Sequence, residues 1–418
     1  MTNVRLTRDG FIAGVKADLL AAGYAAVVAP SPQGNVQCDL VAYAPGPHGV
    51  AIGTAVATKF GGSVDFDLEA IKLDWVRESA GLDGGLMVTR DGIYGLSPNG
   101  KGFIHVDEIP RVTPSDEPVQ DIALANSLLW ELFNESRGVI DPSQFPGMLL
   151  GSVKIYKGAV QTRAGGPKIE GTTFRQAFSA FLNRFPKNDL PQLASSEALQ
   201  LVISQLASLF PTARKILDPF FGAGLTTFAT VDKLQALSLE TDLAFTVKGF
   251  EINNNALEFA TELSKTAKGI GDLSITLGSA SELEWPRIDL LLSQPPMGLF
   301  LPEPMSVRGV TVKNVEHFAI LRSALGVDDG SIRDGAVLVT SRSWLSRNDC
   351  QNLRDKLADL GVVKAILGLP GLSVNTALPL VAVVMKKGAG RVVMGELFDD
   401  WASVIADEEG ELRGLLGS

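Results

Sequence analysis

DPFFGAG, residues 218–224, is the stretch on which the fold turns. It follows the short apolar run KILD (215–218) and precedes a helical stretch. Its glycines permit a tight turn and a close approach of backbone to a ligand. The next apolar run, VKGFE (247–251), ends in Glu251, an acid placed to bind both hydroxyls of a ribose. A glycine loop alone is a weak signal, and a plain strand-to-helix turn stays open as its reading. The acid ending the following strand strengthens the case. Further out, DLLLS (289–293), GAVLVT (335–340), VVKAIL (362–367) and LVAVVM (380–385) are short apolar runs. Helical stretches separate most of them. This alternation over 199–387 predicts an α/β fold, a Rossmann-like doubly wound sheet whose ligands sit at the carboxyl ends of its strands.

Upstream, the chain changes character. Residues 1–106 mix helix and strand signals: an amphipathic stretch at 7–22, the apolar runs CDLVAYA (38–44) and VAIGTAVATKF (50–60), and a helical period over 66–81. GGLMVTRDGIYGLS (84–97) reads as a hairpin turning at Asp91-Gly92. Residues 121–185 read as mostly helical, with one helix in IALANSLLWELFNE and two more after it. Linker or loop composition marks 107–120, 163–171 and 186–192. The expected domains are therefore 1–110, 121–190 and 191–390, with a tail at 391–418 that carries a small surface helix. Trp75, Trp130 and Trp344 read as core residues, and Lys386-Lys387 as solvated charges at a strand end.

DPFFGAG, with its Asp-Pro-x-x-Gly-x-Gly form, resembles motif I of DNA adenine-N6 methyltransferases, and GFEIN (249–253) resembles the second motif of that family. Residues 334–387, from DGAVLVTSRSWLS to LVAVVMKK, are similar to the modification subunit of type I restriction-modification systems. So is NSLLWELFNESRGVIDPSQFPGMLLGSV (126–153), which looks like the helical domain of that subunit. The resemblance covers about 122–387 and implies S-adenosylmethionine as cofactor. It would place Asp218, Gly222 and Gly224 along the methionine end and Glu251 at the ribose, with Phe220 and Ile252 as further cofactor-binding residues. Ser279, in GSASE, stands where the family has Gly-Asp near the adenine ring of the cofactor. ASSEALQLV (194–202) stands where it has a Thr-Pro motif. Both are departures.

QPPMG (294–298) takes the place of the Asn/Asp/Ser-Pro-Pro-aromatic motif of the family. The lone pair of adenine N6 is delocalised into the ring, so the amine is a poor nucleophile. A side-chain oxygen and a backbone carbonyl accept its protons and raise its electron density, while the aromatic residue stacks on the extruded base. Pro295 and Pro296 stiffen the loop. Gln294 keeps an amide oxygen but adds a methylene, and Met297 offers a soft contact instead of a stacking plane. Phe300 could supply a ring, but from the wrong offset. Two readings follow: a methyltransferase subunit, active or impaired, and a non-catalytic scaffold that keeps the fold for protein or DNA contact.

CDLVAYAPGPHGVAIGTAVATKF (38–60) resembles the core of restriction-endonuclease-like folds, Pro-Asp followed by Glu-x-Lys on the next strand. Two carboxylates there hold magnesium and a lysine positions the attacking water. Asp39 and Lys59 match, but Cys38 replaces the proline and Ala57 the second carboxylate. Asp65, Asp67 or Glu69 could stand in for it. The plainer reading is a degenerate module with a buried Asp39–Lys59 pair.

Composition narrows the partners. The formal net charge is −10, with 37 Lys and Arg against 47 Asp and Glu, which disfavours broad electrostatic coating of nucleic acid. DNA contact would then run through partner subunits. Some 30 residues, 388–418, follow the last apolar run, too few for base readout, so a separate specificity subunit would supply it. Two cysteines and three scattered histidines predict neither a disulfide framework nor a zinc site, and fit a reducing cytoplasm. No apolar run reaches the ~18 residues of a membrane span, and the start of the chain lacks a signal-peptide core.

Overall fold

A computed structural model describes residues 7–24, 26–29, 38–45, 51–112, 118–136, 144–162, 168–182, 196–238, 243–370, 378–398, 400–407 and 410–417. The segment 186–192, read as a loop, lies outside them, as do 163–167 and 113–117 within the other two breaks. The chain divides into two compact units, Met1–Phe181 and Leu182–Ser418.

The first unit opens with α1 (Arg8–Ala21), whose N-cap Thr7 accepts a hydrogen bond from Gly10 N at 3.1 Å. A six-stranded sheet follows in sequence order: β1 (Ala26–Val28), β2 (Leu40–Pro45), β3 (Ala51–Lys59), β4 (Gly84–Thr89), β5 (Ile93–Leu96) and β6 (Phe103–Val106). Only β3 and β4 run parallel, because α2 (Phe66–Ser79) carries the chain between them. Strand alternation sorts the apolar side chains onto two faces. Ala42, Ala44, Val56, Leu86 and Val88 pack with Val15 and Leu19 of α1; Ala55, Ala57 and Met87 pack with Leu73 and Val76 of α2. Trp75 is not a core residue. It lies on the outward side of α2 at 50% exposure, because the helix buries Ala70, Leu73 and Val76 instead.

Three helices occupy the next stretch as expected, α3 (Ile122–Ser136), α4 (Phe145–Ser152) and α5 (Gly171–Leu182). Between the last two lies a three-stranded sheet that helical reading missed: β7 (Val153–Tyr156), β8 (Ala159–Thr162) and β9 (Ile169–Glu170). The alternation in VKIY and AVQT, joined by the two residues Lys157 and Gly158, favours a hairpin over a continued helix. Trp130, half-buried, packs edge-on against Phe133 and Phe181, with Phe145 closing the cluster.

The second unit begins with α6 (Glu197–Ala207) and holds β10 (Lys215–Asp218), α7 (Leu225–Leu237), β11 (Phe245–Glu251), α8 (Asn254–Ser264), β12 (Ile270–Leu277) and β13 (Ile288–Ser293). A hairpin, β14 (Phe300–Val307) and β15 (Val310–Asn314), precedes α9 (Val315–Asp329) and β16 (Ile332–Ser341). Then come α10 (Gln351–Leu360), β17 (Val363–Leu369), β18 (Leu380–Met385), β19 (Val393–Glu396), α11 (Trp401–Ala406) and α12 (Glu411–Gly417). The eight-stranded sheet runs β12-β11-β10-β13-β16-β18-β17-β19. β18 is antiparallel to both its neighbours; the pairs among β10, β11, β12, β13 and β16 are all parallel. This is the doubly wound α/β arrangement expected. Strand order reverses at β10, so the switch point, where such sheets bind ligands, lies between the carboxyl ends of β10 and β13.

The six apolar runs are strands, and four strands of this unit, β12, β14, β15 and β19, escaped that criterion. β12 is an edge strand carrying Gly271, Asp272 and Ser274; β19, inside the stretch read as a tail, is the other edge. β14 is exposed along most of its length. Trp344 is core, 2% exposed, with Nε1 donating to Thr340 Oγ1 at 3.1 Å.

Gly335 on β16 shows how closely this sheet is packed. A Cβ there would stand 2.5 Å from the backbone carbonyl oxygen of Met385 on β18 and 2.4 Å from the Phe210 ring. The ring can shift but the paired strand cannot. Gly335→Ala is expected to destabilise the second unit by about 1–3 kcal/mol, visible as a lower urea midpoint at unchanged m. An unchanged midpoint would refute this account of the contact.

Candidate active site

The cofactor half of the expected site gathers at the carboxyl ends of β10, β11 and β12. Asp218 ends β10 and is buried. Its Oδ2 accepts from Thr227 Oγ1 on α7 at 2.8 Å, and its Oδ1 from Phe220 N at 3.1 Å. The acid thus ties the loop to the helix that follows it. Burial pushes its carboxyl up to about 6, against the lowering effect of those two bonds, and the nearby Glu251 charge adds to the rise.

Gly222 and Gly224 both have left-handed backbone, φ +54° and +75°. Gly224 caps the amino end of α7, and a Cβ there would stand 2.6 Å from the rings of Phe221 and Phe228. Phe221 also fills the space over Gly249, where a Cβ would stand 2.3 Å from its Cδ2. The loop is therefore held against β11 by its own buried ring and by Phe221 N donating to Phe250 O at 3.0 Å.

Glu251 meets that loop directly. Its Oε2 accepts from Gly222 N and its Oε1 from Asn253 N, each at 2.8 Å. Ile252, beside it, is 72% exposed. Across on β12, Leu277 pairs with Glu251, Gly278 N donates to Glu251 O at 2.9 Å, and Ser279 Oγ lies 2.8 Å from Ser281 Oγ.

The titration of Asp218 has a consequence for stability. The folded chain holds a proton up to about pH 6 that the unfolded chain releases near 3.8. The unfolded state therefore binds fewer protons in that window, and stability falls as pH rises from about 4 to about 6. The loss is on the order of 3 kcal/mol and levels off above it. Subtracting the urea stability of Asp218→Asn from that of the wild type, across pH 4–7, should isolate this slope. A flat difference would show that the burial of the charge is relieved in solution.

On the other side of the switch point, β13 ends in Ser293, and Gln294–Gly298 follow as a loop with a turn at Met297-Gly298. Ser293 is 1% exposed, and among the described residues its Oγ has no hydrogen-bond partner; neither has the shielded Oε1 of Gln294. Pro295 is buried, while Pro296 and Met297 are partly so. The hairpin β14–β15 then turns on Arg308 (φ +48°) and Gly309 (φ +83°), the type I′ geometry that matches strand twist. Val315 N donates to Leu299 O at 3.0 Å, which fixes the end of the loop to the start of α9.

Sequence reasoning missed Glu316 in the first turn of α9. It is buried and accepts from Ser341 N (3.1 Å) and Ser341 Oγ (3.0 Å) at the end of β16. Its only signal was a charge inside the apolar stretch VEHFAIL. Next to it, burial pushes the pKa of His317 down, and Nε2 lies 3.7 Å from Cys350 Sγ.

In the first unit, Asp39 and Lys59 do not form the expected pair. Asp39 Oδ2 accepts from Thr58 N and Oγ1 (2.6 and 2.8 Å), and its Oδ1 meets Arg8 of α1 at 2.9 Å. Lys59 turns to Glu69 of α2 at 2.6 Å. Successive residues of β3 point to opposite faces, so Thr58 draws the acid toward α1 and Lys59 follows α2. Partial burial works against the Glu69 charge, yet the hydrogen bonds from Lys59 and Lys72 hold its carboxyl below the usual range. Among the described residues no group of three or more His, Cys, Asp or Glu is arranged to hold a metal ion. No helix among them is long and apolar enough to cross a membrane.

No protein-family model matches the chain, and no curated protein matches it. Solved structures do. One is the methyltransferase subunit of a type I restriction-modification system from Streptococcus thermophilus, at 16% identity and a TM-score of 0.47, covering 57% of each chain. Another is the M protein of the type I restriction enzyme EcoKI, at 14% identity and a TM-score of 0.38, over 63% of this chain and 67% of that one. The type IIG restriction endonuclease BpuSI is similar over 96% of this chain and 61% of its own, at 12% identity and a TM-score of 0.40. The chain thus spans little more than half the length of the first of these and is similar to part of it.

Proposed function

We propose that this chain is an S-adenosylmethionine-dependent methyltransferase subunit acting on adenine N6 in DNA, within a cytoplasmic restriction-modification or defence assembly. The observation that carries the reading is the unpartnered Gln294 oxygen across the switch point from the Gly222–Glu251 contact. A shielded acceptor without a donor costs about 1–3 kcal/mol. An incoming amine N–H relieves that, once the amide turns its oxygen to the exposed side.

When bound, S-adenosylmethionine supplies an electrophilic methyl group. The residues present fit it: a glycine loop at the amino end of α7, and a carboxylate already latched to that loop. Asp218, Phe220, Gly222 and Gly224 would hold the methionine end, Glu251 the ribose, and Ile252 and Ser279 the adenine side. Gln294 Oε1 and the Pro295 carbonyl accept the two N–H bonds of the substrate amine and raise its electron density. Pro295 and Pro296 stiffen the loop that carries both acceptors. Base readout falls to a partner subunit, in keeping with the net charge of −10. The first 110 residues serve as a degenerate nuclease-like module, and the separate ties of Asp39 and Lys59 support that loss of chemistry.

Calorimetric titration with S-adenosylmethionine tests the reading. Micromolar binding that Asp218→Ala abolishes is the expected result. A folded wild-type chain that takes up no cofactor would overturn it.

A further inference from the structure

We propose that Glu316 is the residue that positions the Gln294–Gly298 loop, by fixing the start of α9 to the end of β16. The inference rests on the methyltransferase reading and deepens it. The loop has two anchors. At its start, Ser293 is paired with Leu338 of β16. At its end, Phe300 pairs with Asn314, and Leu299 O accepts from Val315 N at 3.0 Å. The span between the anchors therefore depends on where α9 begins relative to β16. Glu316, the next residue after Val315, sets that distance. Its two oxygens accept from Ser341 N at 3.1 Å and from Ser341 Oγ at 3.0 Å, just beyond Leu338 on the same strand.

The contact has the chemistry of a fixed joint. Glu316 and Ser341 are each 3% exposed. The one hydroxyl proton of Ser341 goes to the carboxylate, so Ser343 Oγ, 2.8 Å away, donates in turn to Ser341 Oγ. Apolar packing through Phe318, Ile320, Leu321 and Ala324 holds α9 to the sheet, but it is non-directional and does not by itself choose a register. Hydrogen bonds to a buried carboxylate are directional and strong, and they do. A carboxylate in so apolar a turn is costly to bury without such bonds. No step proposed for methyl transfer uses the Glu316 charge, which leaves position as its contribution.

The test combines amide-resolved hydrogen exchange and S-adenosylmethionine affinity in the full chain with single-turnover methyl transfer in the assembled complex. Glu316→Ala should lower the rate by up to roughly 100-fold, the cost of a ~1 Å displacement, with cofactor affinity at the wild-type value. The Val315 amide is bonded to the loop and not to the altered side chain, and it should exchange at least about 10-fold faster. Leu217 in β10 and Val247 in β11 should keep their protection. Glu316→Gln should restore both signals, because its amide accepts from Ser341 N and donates to Ser341 Oγ. Glu316→Asp, shorter by a methylene, should not. Should Glu316→Ala fail to fold, Ser341→Ala is read in its place: it removes one of the two bonds and should give the same changes at smaller size. A wild-type rate or wild-type Val315 exchange would overturn the inference and leave the methyltransferase reading standing. So would cofactor affinity falling in step with the rate, the mark of a general loosening, or failure of Glu316→Gln to rescue. A wild-type complex that binds no S-adenosylmethionine, or binds it and transfers no methyl group, would overturn the reading and this role with it.

Discussion

Gln294→Ala is expected to lower methyl transfer to adenine by roughly 100- to 1,000-fold while leaving S-adenosylmethionine affinity unchanged. The magnitude is that of deleting one preorganised polar group aimed at developing charge. The affinity should hold because Gln294 follows β13, whereas the loop and acid proposed for the cofactor follow β10 and β11. Gln294→Asn separates position from chemistry. It keeps the amide and withdraws the oxygen by one methylene, toward the length usual in the resembled motif. The proposed role needs the full reach of Gln294, and misplacement by ~1 Å can cost roughly 100-fold, so Gln294→Asn should lower the rate, by up to that factor. Single-turnover assays with labelled cofactor and the assembled complex would measure both. Equal rates for the wild type and Gln294→Ala would sink the assignment of this residue.

Gly224→Val should abolish cofactor binding and lower the melting temperature by roughly 10 °C. Two costs combine. A β-branched residue at φ +75° carries strain of about 1–3 kcal/mol, and its Cβ would stand 2.6 Å from two buried rings, adding about 1–3 kcal/mol of overpacking. Each kcal/mol shifts the midpoint of a unit this size by about 2–4 °C. Gly298→Ala is the control. It has nearly the same dihedral, φ +72°, but no described residue lies within 4 Å of a Cβ placed there. Only the strain applies there, and a shift of a few degrees is expected. Equal shifts for the two variants would show that ring packing does not hold the loop.

The parallel part of the second unit was legible because its buried strands are continuous apolar runs, as in KILD and DLLLS. β12 was not, since an edge strand that carries Asp272 and Ser274 has no such run. The β7–β8 hairpin hid inside a stretch whose flanking residues are helical. Trp75 was misread because bulk and apolarity say nothing of which side of α2 meets the sheet. At the site, the sequence placed Asp218, Gly222, Gly224 and Glu251 on successive strand ends, and the structure brings the loop and the last acid into contact. It could not reveal that Asp39 and Lys59 are tied elsewhere, because those ties come from Arg8 and Glu69, on two different helices. Glu316 was invisible for a similar reason: its partner, Ser341, lies 25 residues away.

The position of β18 bears on how the chain is made. β16 and β17 reach each other only through β18, which is translated after both. While the ribosome is still short of Leu380, β16 and β17 each present a bare apolar edge, open to pairing with another chain. Their joining waits for Leu380–Met385 to emerge and slot between them. A nascent chain arrested before Leu380 should therefore be held by chaperones or aggregate, whereas one arrested well past Met385 should resist protease across β10–β18.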